Sequence, residues 1–152
     1  MRVVIVLLLM GISVKLFSQS KYDTVLHVSK YPVKNGYVCV FNPGSRIICP
    51  GNTISIFSRD SSVFAVMEGK VKKIFTVEET ENALTCRGET FVLYGNMDKI
   101  YKNVGDTIHK GDMIGTIRKD TTDNRYELYF QIESRRKPLV YTDQIRFLKR
   151  LR

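Results

Sequence analysis

From Tyr126 to Glu133 apolar and polar residues alternate strictly, with Leu128, Phe130 and Ile132 on one side and Glu127, Tyr129, Gln131 and Glu133 on the other. A period of two predicts a strand with one buried face and one polar face. Runs rich in Val, Ile, Phe and Tyr at Thr24–Ser29, Tyr37–Phe41, Thr53–Ser58, Val63–Met67, Val71–Val77, Thr90–Tyr94 and Met113–Arg118 predict further strands. Clusters of Gly, Asn, Asp or Ser separate them. Asn42-Pro43-Gly44-Ser45 predicts a turn between Tyr37–Phe41 and a strand at Arg46–Cys49, and Asp120–Asn124 reads as a flexible loop. A helical period is confined to the last ten residues. The pattern predicts an all-β domain of antiparallel strands.

The start of the chain is different. Val3–Met10 is an unbroken apolar run behind Arg2, Lys15 interrupts it, and Phe17-Ser18-Gln19-Ser20 supplies small residues. A membrane span takes about 20 apolar residues, so residues 1–20 are expected to be a cleaved secretory signal peptide rather than an anchor. No Cys stands near the cleavage point to carry a lipid. The mature protein is therefore expected in a periplasm or at a cell surface.

Apolar residues make up 43% of the 152, enough for one domain with a real core. Loss of residues 1–20 removes Arg2 and Lys15 but no acid, so the formal charge falls from +9 to +7. Such an excess suits an anionic surface such as wall polymer or lipid headgroups, and export argues against nucleic acid. The basic residues gather late, as Arg135, Arg136 and Lys137 and then Arg146, Lys149 and Arg150. The second group is interleaved with Ile145, Phe147 and Leu148, so weak contact of this tail with a membrane surface is one expectation and a solvated terminus the other.

Three Cys remain, at 39, 49 and 86. Cys39 and Cys49 lie symmetrically about Gly44, so a hairpin centred there would oppose them and allow a disulfide, leaving Cys86 odd. None has metal or redox spacing.

The richest stretch is Tyr94-Gly95-Asn96, then Val104-Gly105-Asp106-Thr107-Ile108-His109-Lys110-Gly111-Asp112-Met113-Ile114-Gly115, then Glu127-Leu128-Tyr129-Phe130. Ahead of it stand Val63-Phe64-Ala65 and Glu68-Gly69-Lys70-Val71. In order and spacing these resemble the LytM/lysostaphin-type zinc metallopeptidase domain, which cuts cross-linking peptides in bacterial cell walls. The resemblance implies an antiparallel β sandwich or barrel of the duplicated hybrid motif type. It places that domain at 51–143, after an extra N-terminal hairpin at 21–50 and before a basic tail at 144–152.

The family's framework is kept and its chemistry is not. The Tyr-x-His motif of the family ends here in Asn96, and its His-x-His pair is replaced by Glu127 and Tyr129. Aligning the family's His-x-x-x-Asp on the Val63 strand puts Gly51 at the His position and Ser55 at the Asp position. Catalytic zinc needs three protein donors and an open position, and among these five residues only Glu127 is a donor for it. His27 and His109 fall elsewhere. No metal, cofactor or catalytic residue is expected. The resemblance then implies a non-catalytic wall factor that binds peptidoglycan or activates a partner hydrolase, through a groove floored by Ser55, Asn96, Glu127 and Tyr129. One alternative is an active zinc endopeptidase. The other is a biotinyl/lipoyl carrier domain with Lys99 as carrier lysine, although Lys99 stands too close to Gly105 for that motif.

Overall fold

A computed structural model describes residues 24–40, 53–137 and 139–151. The expected signal peptide, the turn at Gly44, Cys49 and Gly51 lie outside the described residues. Eleven strands run in the order β1 (Thr24–Val28), β2 (Gly36–Val40), β3 (Ile54–Ser58), β4 (Ser62–Phe64), β5 (Gly69–Val77), β6 (Thr80–Arg87), β7 (Thr90–Ile100), β8 (Thr107–Ile108), β9 (Met113–Ile117), β10 (Lys119–Asp120) and β11 (Arg125–Ser134). Among the described residues a single helix, α1 (Tyr141–Arg150), follows these strands. Every pairing between them is antiparallel, and the main sheet runs β1-β2-β3-β11-β7-β6-β5-β8.

A smaller layer is made by β4 and β9, which pair with each other while β9 also pairs with the far end of β7. Strand β7 therefore serves both layers. Its first half meets β6 and β11 through Val92 and Tyr94, and its second half meets β9 through Met97 and Ile100. Between the layers lies one apolar core containing Ile54, Ile56, Val63, Ile114, Leu128 and Phe130, all at most 1% exposed. The alternation along β11 is realised as expected, with Leu128, Phe130 and Ile132 buried and Tyr129 exposed.

Strand β6 is absent from the sequence reading. Its hairpin with β5 turns through Glu78 and Glu79, both at positive φ (47° and 66°). Two left-handed residues are what a tight two-residue hairpin requires, but Asn-Gly or Asp-Gly is the usual sequence for it. Of Asp120–Asn124, expected as a loop, residues 121–124 form the turn of the β10–β11 hairpin and Asp120 ends β10, with Lys119 facing Tyr126 and Asp120 facing Arg125.

The N-terminal region does form a hairpin, but the described one is β1–β2, turning through residues 29–35. Strand β2 then joins β3 at Tyr37↔Phe57, so the extension lengthens the main sheet. Cys39 faces Val25 across it and is described with a free thiol, as is Cys86 on β6.

The expected tail is packed structure. In α1 the side chains of Gln144, Ile145 and Leu148 are buried, and Phe147 stacks on Phe130 with ring centroids 6.4 Å apart. Gln144 Oε1 accepts the Ile132 backbone N–H of β11 at 3.0 Å. Arg146, Lys149 and Arg150 stay exposed, and Arg146 pairs with Asp143 at 3.1 Å. The apolar side of this helix packs on the core through Ile145, Phe147 and Leu148.

Candidate groove at the degenerate metal site

Tyr94 fixes the middle of β7. Its ring is fully buried, edge-on to Phe130, and its hydroxyl accepts the Val66 backbone N–H at 3.0 Å. Burial pushes the hydroxyl pKa far above its ordinary range, opposed only in part by the bonds to Val66 and Thr85.

Just beyond, the β6–β7 register slips. Ala83 faces Tyr94 but Glu81 faces Met97, so β7 carries one residue more than its partner. Asn96 sits in that bulge at φ 62°. A bulge re-aims a side chain out of the regular alternation, and here it turns the Asn96 amide towards β11. Asn96 Nδ2 donates to the Glu127 carbonyl oxygen at 2.7 Å.

Strand β11 brings the remaining positions alongside. Tyr129 faces Ser55 of β3 on one edge and Gly95 of β7 on the other. A Cβ on Gly95 would lie 2.6 Å from Asn82 Oδ1 and 3.3 Å from the Tyr129 Cβ, so a larger residue would have to push the Asn82 amide aside and crowd Tyr129. Ser55, Asn96 and Glu127 are half-buried and Tyr129 is 42% exposed.

Together Asn96, Glu127 and Tyr129 line a groove of about 500 Å³, walled by Phe75, Val77 and Glu78 on one side and by Arg118, Lys119 and Asp120 on the other. The Tyr129 phenol is held above its ordinary pKa, first by desolvation and then by the charges of Glu127, Glu78 and Asp120. Asp120 is itself held below the usual carboxylate range, chiefly by the Thr122 N–H that donates to it at 2.8 Å. The groove floor is thus a phenol, an amide and a carboxylate, with Glu78 and Asp120 adding negative charge around Tyr129 and Arg118 and Lys119 adding positive charge on the wall. Such groups exchange hydrogen bonds well with an extended peptide.

A family model described as peptidase family M23 matches residues 50–140, more than half of the chain. The chain belongs to peptidase family M23. Among solved structures it resembles lysostaphin, at 19% identity and a TM-score of 0.53 over 70% of this chain and 47% of that one. It also resembles a zinc-containing peptidase from Vibrio cholerae, at 18% and 0.50 over 64% of this chain and 31% of that one. The catalytic domain of the prophage-encoded M23 protein EnpA from Enterococcus faecalis matches at 15% and 0.50, over 74% of this chain and 83% of that one. These likenesses show the fold, and the chain spans less than half the length of the first two. No curated protein matches.

The described residues of this M23 domain offer no donor set that fits a zinc ion. Among the described residues no three His, Cys, Asp or Glu side chains come together closely enough to hold a metal. Of the positions that the resemblance puts at the ligand and base sites, Ser55 faces Tyr129 across β3 and β11, Glu127 stands two residues before Tyr129, and Asn96 bonds to the Glu127 carbonyl. His27 lies on β1, exposed, and His109 lies in the β8–β9 turn, 3.7 Å from Asp112. Neither lines the groove. Lys99 is paired with Thr116 inside the β7–β9 ladder, whereas a carrier lysine needs the tip of a turn.

The basic residues named from the sequence stay apart from the groove. Arg135 lies over the Phe91 ring at 5.0 Å and Arg136 pairs with Glu89, while Lys137 is exposed. The sequence reading missed Glu78, Arg118, Lys119 and Asp120 as groove walls. Only the unmatched Glu-Glu between two β-rich runs hinted at the first of them.

Proposed function

We propose that this M23 domain is an exported, non-catalytic wall factor whose groove holds an extended peptide of peptidoglycan, or of a partner hydrolase, without cutting it. The observation that carries this reading is the row Ser55–Tyr129–Gly95 with Asn96 and Glu127 beside it. It keeps the cleft and its hydrogen-bonding surface while offering one carboxylate where a zinc site needs three donors. The exposed Tyr129 ring adds apolar contact to an otherwise polar floor.

Co-sedimentation with insoluble peptidoglycan tests it. The wild-type chain is expected to sediment and to release no muropeptides, and elemental analysis is expected to find well under one zinc per chain. Glu127→Ala with Tyr129→Ala should abolish sedimentation and leave the fold intact, because both side chains point away from the core. Sedimentation that survives this pair, but is lost on charge reversal at Arg146, Lys149 and Arg150, would assign binding to the basic helix instead. One zinc per chain with released muropeptides would restore the endopeptidase reading.

A further inference from the structure

A second cleft shares Lys119 with the groove. It encloses about 790 Å³ and is lined by Tyr37, Ser58, Arg59, Lys119, Arg125 and Tyr126, with Asp123 its one carboxylate. Tyr37 comes from β2, outside the residues that match the M23 family, so the N-terminal extension completes this cleft.

Arg125 is its fixed point. The guanidinium stacks on the Phe57 ring at 4.2 Å, reaches Asp123 at 2.8 Å and is hydrogen-bonded to Tyr37. Its Nε is buried with no hydrogen-bond partner, the only such side-chain atom among the described residues. Arg59 and Lys119 are exposed, and among the described residues neither has an ion-pair partner. Three cations therefore face one carboxylate in a concave, polar space.

The adjoining groove carries more acid than base. Glu127, Glu78 and Asp120 bear on Tyr129 there, against Arg118 and the shared Lys119, and disfavour a bound carboxylate beside that ring. Charge of opposite sign at two ends of a continuous surface sets the direction of a ligand more than its affinity. We propose that the cleft at Arg59, Lys119 and Arg125 seats the free carboxylate of the peptide held in the groove, so that the peptide crosses Lys119 with its acidic end on this side. Exposed Arg59 and Lys119 beside the fixed Arg125 guanidinium supply the charge that suits a carboxylate. This assignment rests on the groove reading and adds an orientation to it.

Soluble muropeptides from muramidase-digested wall, native and with their carboxylates converted to amides, test it by calorimetric titration. Arg59→Gln with Lys119→Gln removes two exposed charges without touching the Arg125–Phe57 stack, and an unchanged melting temperature will verify the fold. Native muropeptides are expected to bind the double variant about tenfold more weakly or worse, with the amidated form binding both proteins equally. Equal binding of native and amidated forms by the wild type, with a neutral double variant, would overturn the carboxylate assignment and leave the groove standing. No binding of either form by the wild type would overturn both. A phosphate-bearing wall polymer that binds through Arg59 and Lys119, with muropeptides indifferent to them, would also overturn the assignment.

Discussion

The side-chain amide of Asn96 is tied to the backbone carbonyl of Glu127 across β7 and β11, at 2.7 Å. The position that resembles a base in the M23 peptidases thereby joins the strand that resembles their final ligand pair. An amide neither takes nor gives a proton near neutral pH. At this point of the groove the amide acts as a strut between the two strands.

Asn96→Ala removes that strut and places a Cβ-bearing residue at φ 62° without the local hydrogen bonding Asn provides. A lost hydrogen bond costs about 1 kcal/mol and the left-handed conformation about another. Urea unfolding should show a loss of about 2 kcal/mol, and Asn96→Gly should recover the backbone share of it. Equal stabilities for wild type and Asn96→Ala would show that the bulge does not depend on this bond.

Tyr94 makes stability fall in alkali. Its folded pKa lies above the ordinary value of 10.0 because burial disfavours the phenolate. Below that ordinary value both states keep the proton and its contribution is complete. Above it the unfolded chain releases the proton while the folded chain retains it, so stability drops as pH rises. Tyr94→Phe leaves the Val66 N–H without its acceptor and should cost about 1–3 kcal/mol at neutral pH. The variant should lose less than the wild type between about pH 9 and 11, so the two curves converge. Parallel curves would remove Tyr94 as the cause.

Gly115 allows β7 and β9 to touch. A Cβ there would run into the Lys99 carbonyl oxygen, and it would stand 3.1 Å from Ile100 Cα. Backbone cannot yield as a flexible side chain can, so Gly115→Ala should cost about 2–3 kcal/mol in urea unfolding. A change below about 0.5 kcal/mol would mean that the two layers part easily there.

Gln144 and the basic residues of α1 separate packing from charge. Gln144→Leu deprives the Ile132 N–H of an acceptor in a fully buried setting, an expected loss of about 1–3 kcal/mol. Charge reversal at exposed Lys149 and Arg150 should change stability by less than about 0.5 kcal/mol. Equal effects would refute a helix held by its buried face.

Much of the framework was legible because it is written locally. Leu128, Phe130 and Ile132 alternate with polar neighbours, and period two admits one reading. The spacing from Tyr94 to Gly115 identified the family, and Gly115 shows why such glycines are needed. Strand β6 was hidden because Glu78 and Glu79 adopt a turn that their side chains do not advertise. The start of α1 was blurred because Val140 offers no side-chain cap, although Asp143 accepts its N–H at 3.4 Å.

The sequence by itself determined the strands with strong alternation, the M23 framework and the residue types at its former ligand positions. These follow from neighbours a few residues apart, where pleat and turn geometry act directly. Only the tertiary structure decided that Ser55, Gly95 and Tyr129 share one row, that a bulge aims Asn96 at Glu127, and that Tyr37 and Arg125 close a basic cleft beside them. Those residues are far apart in the chain, and ladder register across three strands brings them together. Register depends on the packing of the whole sheet, and no short window of sequence contains it.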